Sequence, residues 1–345
     1  MRLEDLDYDL PAELVSQHPA ARREDARMLV VERATGRLHD SRIAELPAWL
    51  RAGDALALNE TRVRPARLEV RRPSGGRVEL LFVRPEPAAG DGAWRVLAKP
   101  ARHAAPGAVL ATEDGALEVE ALAEGEAGER VVRIVRGDLA ATLRERGALP
   151  LPPYIRRPPG PEDLERYQTV YARVEGAVAS PTAGLHFTRE LLSRLAAMGV
   201  ARADLVLHVG PGTFRPVTAA DPREHRMDEE WFELGDDAAA TLGAARAAGG
   251  RIVAVGTTSV RALESACDAN GGGIAAASGW TRKFIHEPYR FQAVDALMTN
   301  FHLPRTTLLL LVAAIAGQDL LREAYAHAVR ERYRFYSYGD AMLVV

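Results

Sequence analysis

The sequence predicts an α/β fold: a mixed-sheet or barrel-like α/β domain interrupted by an inserted small antiparallel β-barrel domain. Three observations predict it. Short alternating apolar runs, separated by turn residues, fill the region from about 63 to 148. Helical patterns and short apolar runs then alternate toward the C-terminus. Between the two lies Pro150 to Pro161, with six prolines in twelve residues, a stretch that fits neither a regular helix nor a central strand. At 345 residues the chain is too long for one ordinary domain. The expected division is 1–62 and 149–345 for the two parts of the α/β domain, with 63–148 as the inserted barrel.

Along the chain, Arg27 to Val31 and Ala55 to Asn59 read as strands, the second ending in the polar turn Asn59-Glu60-Thr61-Arg62. In the insert, Ala66 to Val70, Val78 to Val83, Trp94 to Ala98, Ala116 to Ala121 and Val131 to Val135 alternate as half-buried strands do. Pro73-Ser74-Gly75-Gly76, Pro87 to Gly92, Pro106-Gly107 and Glu124 to Gly128 supply the turns. Past the proline stretch, Thr188 to Met198 reads as an amphipathic helix closed by Gly199, and Ala203 to His208 as a strand. Asp236 to Ala248 reads as an Ala-rich helix, Arg251 to Val255 as a strand, and Thr257 to Asp268 as a helix. Leu308 to Ala316, preceded by Thr306 and Thr307 as caps, is far shorter than the ~20 residues that span a bilayer, so it reads as a buried helix.

The totals bound the function. An apolar fraction of 47% supports a packed core, and 26% charged residues with a net charge of -3 describe an ordinary soluble protein. The opening Met1 to Asp9 is acidic and polar, so no secretory leader is expected. Cys267 is the single cysteine, which excludes an internal disulfide and a Cys-based metal site. A cytoplasmic enzyme is the simplest class. Basic residues are almost all arginine, and clusters such as Arg62 to Arg77, Arg156-Arg157 and Arg330 to Arg334 are suited either to phosphate contacts or to ordinary solvated faces.

Chemistry is concentrated in turns. His186 lies in Ser180-Pro181-Thr182-Ala183-Gly184-Leu185-His186-Phe187, His208 before Gly210-Pro211-Gly212-Thr213, and His302 in Thr299-Asn300-Phe301-His302-Leu303-Pro304. Each alone reads slightly better as a core histidine bonded to backbone. All three at element boundaries, beside Gly, Thr or Asn, suggest loops converging on one pocket. The strand ending at Val255 runs into Gly256-Thr257-Thr258-Ser259, where ligands of an open α/β sheet bind and where helix amides suit an anion or ribose. Simple capping is the competing reading. There is no Gly-x-Gly-x-x-Gly or Gly-Lys-Thr phosphate loop, and no Gly-x-Ser-x-Gly elbow. His225, Asp228 and Glu229 have metal-like spacing but no second histidine at helical spacing, so no metal is expected. Asp295 and Asp340 stand beside turns, placed to orient a histidine or bind a diol, or merely to cap.

Taken together the segments closely resemble the S-adenosylmethionine:tRNA ribosyltransferase-isomerase family of queuosine biosynthesis. The matching segments run in order from Asp7-Tyr8-Asp9-Leu10-Pro11 and Gln17-His18-Pro19 through Asn59-Glu60-Thr61-Arg62-Val63 and Tyr167-Gln168-Thr169-Val170-Tyr171. They continue with the three histidine segments, Gly256-Thr257-Thr258-Ser259-Val260-Arg261 and Tyr336-Ser337-Tyr338-Gly339-Asp340. One departure is Ile285 to Phe291, where the family often carries Pro-Gly or Pro-Pro before Tyr-Arg-Phe; that leaves the shape of this loop open.

The resemblance implies an α/β domain interrupted by a β-barrel. It implies that S-adenosylmethionine serves as a ribosyl-donating substrate and that no metal is used. The acceptor would be the aminomethyl group of 7-aminomethyl-7-deazaguanine at the tRNA wobble position, and the product epoxyqueuosine-tRNA, with adenine and methionine released. A monomer without a membrane partner is expected. His186, His208 and His302 are then the acid–base candidates. Substrate-binding candidates are Thr257, Thr258, Ser259, Arg261, Asp295, Asn300, Gly210, Gly212 and Thr213. Arg62, Arg156 and Arg157 are candidates for the tRNA backbone, and Tyr154 for stacking on an unpaired base. The rival classes are a conventional methyltransferase, a non-catalytic RNA-binding module and a metal-dependent hydrolase.

Overall fold

The computed structural model describes residues 7–214 and 224–345. The first part of the chain forms β1 (Arg27–Glu32), β2 (Arg37–Arg42), β3 (Ala55–Asn59) and the short β4 (Thr61–Val63). Six strands follow: β5 (Arg67–Arg71), β6 (Arg77–Pro85), β7 (Ala93–Lys99), β8 (Val109–Ala111), β9 (Glu118–Glu124) and β10 (Glu129–Arg136). They close into an antiparallel barrel in the order β10-β7-β6-β5-β8-β9, which leaves no open edge. The alternating pattern in the sequence reflects its interior: Leu68, Val70, Val78, Leu80, Phe82, Val96, Val119 and Val132 point inward. Helix α1 (Leu139–Arg146), capped by Asp138, packs Leu139 and Leu143 onto that core. The sequence reading missed β8 and α1, the first because three residues carry too little periodicity to register.

The chain then runs through α2 (Asp163–Arg166), β11 (Val174–Ala177), α3 (Arg189–Ala197), β12 (Ala201–Leu207), β13 (Glu230–Leu234), α4 (Asp236–Ala247), β14 (Ile252–Val255) and α5 (Thr257–Ala269). It ends with β15 (Ala277–Thr281), β16 (Ala296–Asn300), α6 (Thr307–Ala316), α7 (Gln318–Arg330) and β17 (Ala341–Val344). One mixed sheet, in the order β15-β13-β12-β3-β14-β16-β17-β1-β2, gathers strands from both ends of the chain. Its centre, β12, β3, β14 and β16, is parallel. β3, β14, β16 and β17 are buried at every residue, which is why β3 and β14 read as strands without clear polar alternation.

Helices cover both faces. Ala57, Leu205, Leu207, Ile252 and Ala254 meet Leu242, Val260, Leu263, Leu310 and Ala324 on one face. Leu56, Leu58, Val253, Val255 and Met298 meet Phe187, Leu191 and Leu195 on the other. The barrel leaves the sheet domain at β4 and the chain returns at β11, and these two strands pair in parallel, Val174 opposite Thr61. The proline stretch packs Leu149, Leu151 and Ile155 against Val63, Tyr167, Leu185 and Tyr338. Among the described residues no helix is long and apolar enough to cross a membrane.

Candidate active site

Parallel strands that share a direction bring their carboxyl ends to one rim, and the loops leaving that rim bound a cleft. From β14 comes Gly256-Thr257-Thr258, from β16 Thr299 to His302, and from the loop after β12 Val209 and Thr213. Ser180 to Ala183 arrive from the loop after β11, Tyr336 and Ser337 from the segment before β17, and Tyr154 from the proline stretch. The cleft holds about 480 Å³ of open space, and no Asp, Glu, Lys or Arg stands among its described lining residues.

Of the three histidines, His302 alone lines this cleft. Its Nε2 lies 2.9 Å from Thr299 Oγ1. Its backbone N–H donates to Tyr325 Oη at 2.9 Å, and its carbonyl accepts from Tyr8 Oη. Complete burial pushes its pKa down to about 3, so the ring is neutral at neutral pH.

His186 sits one layer behind. Asn300 Nδ2 donates to His186 Nε2 at 3.1 Å, while Asn300 Oδ1 accepts from Thr182 Oγ1 at 2.8 Å. The Asn300 amide is thereby oriented, and His186 is held with Nε2 unprotonated. Burial pushes its pKa down to about 4. His186 opens instead on a smaller depression with Arg23, Arg166 and Tyr338.

His208 stands at the seam with the barrel. Its Nδ1 lies 2.9 Å from Thr61 Oγ1 in β4, and its ring presses on Gly176 of β11, where a Cβ would come within 2.4 Å. Burial and the nearby Arg64 guanidinium push its pKa down to about 4. The structure therefore puts one expected histidine in the cleft, one against a cleft residue and one at the domain junction.

The remaining expected residues divide in the same way. Thr257, Thr258, Asn300 and Thr213 line the cleft. Ser259 does not: it is fully buried and returns its hydroxyl to Val255 O at 2.8 Å. Arg261 is buried in an ion pair with Glu230 and donates to Lys283 O at 2.9 Å, so its charge is committed inside the protein. Glu230 also accepts from the Gly210 amide at 2.7 Å and from Thr213 Oγ1 at 3.4 Å, which sets the loop after β12. Gly212 packs against the Asp228 side chain, which a Cβ there would push aside, so its part is steric.

Asp295 lies outside the cleft. It accepts from Ile252 N–H at 2.8 Å, at the amino end of β14, and pairs with Arg246 at 3.3 Å. At about 3.3 Å per residue, the length of β14 separates it from the rim. Asp340 caps its turn through the Arg27 and Arg334 amides at 3.0 and 2.8 Å.

Of the residues expected to meet RNA, Tyr154 forms part of the cleft wall, its ring centroid 4.0 Å from that of Tyr336 and its hydroxyl bonded to Ser337. Arg62 and Arg156 are exposed, Arg62 3.9 Å from Glu175 and Arg156 held through its backbone amide by Gln17 at 2.7 Å. Arg157 is committed to Asp163 by two bonds of 2.6 and 2.9 Å. His225 packs its ring 5.7 Å from Phe284, and among the described residues no three His, Cys, Asp or Glu are grouped as metal ligands. Cys267 is buried on α5 and its thiol is pushed up to about 11.

Sequence reasoning passed over Ser180, Thr182, Thr299, Tyr336 and Ser337 as individual site residues, although each lies in a segment it singled out. Glu230 carried no signal at all, because an acid following Asp228-Glu229 looks like solvated surface. The departing loop at Ile285 to Phe291 is anchored on Glu264, a buried carboxylate that accepts from Tyr289 Oη at 2.9 Å and the Gln292 and Ala293 amides at 2.9 Å each.

The chain is 50% identical to the S-adenosylmethionine:tRNA ribosyltransferase-isomerase of Symbiobacterium thermophilum, over the whole of both chains. It is 51% identical to the enzyme of that name from Thermus thermophilus, over 99% of each. The crystal structure of S-adenosylmethionine tRNA ribosyltransferase from Thermotoga maritima is similar with a TM-score of 0.57 at 35% identity, covering 99% of this chain and 100% of that one. A family profile described as queuosine biosynthesis protein matches residues 3–344, and the chain therefore belongs to that family.

Proposed function

We infer that this chain transfers and isomerises the ribosyl moiety of S-adenosylmethionine onto the aminomethyl group of 7-aminomethyl-7-deazaguanine at the tRNA wobble position. The product is epoxyqueuosine-tRNA, with adenine and methionine released. The full-length relatives support the activity by name. The observation that carries it to residues is the cleft, where hydroxyl, amide and imidazole groups from six segments meet at one rim of the parallel strands.

In this reaction the sulfonium acidifies the adjacent ribose carbon, a base removes that proton, adenine leaves with a proton, and the amine attacks before methionine is expelled. His302, neutral and in the cleft, is the side chain placed to accept or relay a proton. His186 is a positioning residue acting through Asn300, and His208 a positioning residue at the seam. Thr257, Thr258, Thr213 and Asn300 bind the donor. Ser259, Arg261, Gly210 and Gly212 shape the loops that carry those residues, and Asp295 has no part in binding.

The tRNA approaches past Tyr154, which lines both the cleft and a neighbouring groove containing Gln17, His18 and Arg156. Arg62 and Arg156 contact its backbone. Residues 63–148 act as a barrel unit inserted between 1–62 and 149–345. The protein works in the cytoplasm as a monomer and without a metal, so turnover survives a chelator.

Mass spectrometry of a reaction containing the protein, S-adenosylmethionine and tRNA bearing the aminomethyl base tests the reading. Adenine, methionine and a heavier tRNA base support it. S-adenosylhomocysteine with a methylated base would replace it with methyl transfer, and tRNA retention without small-molecule product would leave a binding module.

A further inference from the structure

Resting on that activity, we propose that the amino end of α5 and Ser180 form a carboxylate subsite. It holds the methionine carboxylate of the donor and selects donors that carry one.

Two hydroxyls in the cleft have no hydrogen-bond partner although they are buried: Ser180 Oγ and Thr258 Oγ1. Ser180 is 4% exposed and Thr258 6%. Buried hydroxyls are nearly always satisfied, and two orphans facing one cleft mark a place where a ligand supplies the acceptor. Thr258 lies in the first turn of α5, a helix of 13 residues, and Ser180, on the loop after β11, lines the same cleft. Its Ser259 and Val260 amides turn back on Gly256 O at 3.1 and 3.3 Å, and the Thr257 and Thr258 amides open the helix. Gly256, at φ +91°, makes the sharp turn from β14, and Thr258 Oγ1 lies 3.4 Å from where a Cβ on it would stand. A side chain there would crowd the subsite.

Polarity selects the ligand group. The donor carries a sulfonium, an ammonium and a carboxylate. A helix amino end presents about half a positive charge and repels the first two. No charged residue among the described lining residues competes with it. The carboxylate therefore faces α5, and this fixes how the donor lies. β14, β16 and β17 are successive neighbours in the sheet. Tyr336, which precedes β17, donates its amide to Phe301 O at 3.1 Å and so stands at the end of β16, the strand beside β14. The adenosyl end extends that way, past Asn300, toward Tyr154 and Tyr336.

Isothermal titration with S-adenosylmethionine and with its decarboxylated analogue, in the absence of tRNA, tests the subsite. The intact protein is expected to bind the carboxylate-bearing donor at least tenfold more tightly, as two or more charge-assisted hydrogen bonds imply. Thr258→Val and Ser180→Ala each weaken that donor about tenfold and leave the analogue unchanged, so the discrimination collapses in the double variant. Thr258→Ser, which keeps the hydroxyl, retains it, and unchanged melting temperatures confirm that the variants fold. Equal binding of both compounds by the intact protein, or equal losses on both in the variants, overturns the proposal. So does a shift confined to the KM for tRNA, which would make the subsite a phosphate site. The product assay runs beside it: if titration shows discrimination but no adenine is released, the assigned activity fails and the subsite stands.

Discussion

His186 and His302 are neutral, largely buried imidazoles, with pKa values pushed down by burial to about 4 and about 3. In the unfolded chain both return to about 6.5. Above pH 6.5 neither state binds these protons and stability does not respond to them. As pH falls from 6.5 toward 4 the unfolded chain takes them up first, and stability drops by about 1.4 kcal/mol per pH unit for each histidine. Urea unfolding between pH 7.5 and 5 is expected to show this slope, shallower in His186→Gln; an identical slope in the variant would remove His186 as a contributor. For turnover, His302→Gln is expected to lose at least ~100-fold in kcat, the scale of acid–base assistance. His186→Leu strands the Asn300 amide and costs about tenfold, the scale of one lost buried hydrogen bond. His186→Gln, whose carbonyl can accept from Asn300, restores most of it. If Leu and Gln behave alike, the Thr182–Asn300–His186 chain does not position the cleft.

At the scale of elements, the junction of β13, α5 and the loop after β12 depends on one carboxylate. Glu230 neutralises Arg261, which is 4% exposed, and also holds the Gly210 amide. Breaking a buried pair from one side leaves an uncompensated charge and costs about 3–5 kcal/mol. Glu230→Gln is expected to lower unfolding free energy by that amount in denaturant titrations and to raise the donor KM by displacing Thr213. Glu230→Gln combined with Arg261→Met recovers part of the stability, because the stranded guanidinium is gone. A double variant no more stable than Glu230→Gln alone would mean that the charge pair is not what the junction depends on.

At the scale of the whole molecule, the proline stretch joins barrel and sheet, and its two arginines both line the groove beside Tyr154 but differ in how they are held. Arg157 is tied to Asp163, which is fully buried and also accepts from Tyr338 Oη at 2.6 Å. Arg156 is exposed beside the groove that meets the cleft at Tyr154. Arg156→Ala is expected to raise the KM for tRNA several-fold and reduce the salt dependence of tRNA binding by about one unit of slope, leaving the melting temperature unchanged. Arg157→Ala acts through stability, lowering the melting temperature by several degrees. The reverse assignment of these two phenotypes would place the RNA backbone on the other arginine.

The sequence by itself determined the fold class, five of the six strands of the barrel and the segments of the rim. Hydrophobic periodicity is a local property: β5 to β7 had to alternate because one face is dry, and β14 had to be continuously apolar because both are. Turn residues marked the rim loops for the same local reason. Only the tertiary structure decided which side chain in each loop faces the cleft. His186, His208 and His302 sit in equivalent-looking turns, yet one lines the cleft, one braces Asn300 and one packs on Gly176. Asp295 and Asn300 are five residues apart and lie at opposite ends of β16. Arg261 and Thr258 share a helix turn, but Arg261 meets Glu230, 31 residues away in sequence, while Thr258 faces open space. Such choices follow from contacts between distant segments, and no local pattern of residues encodes them.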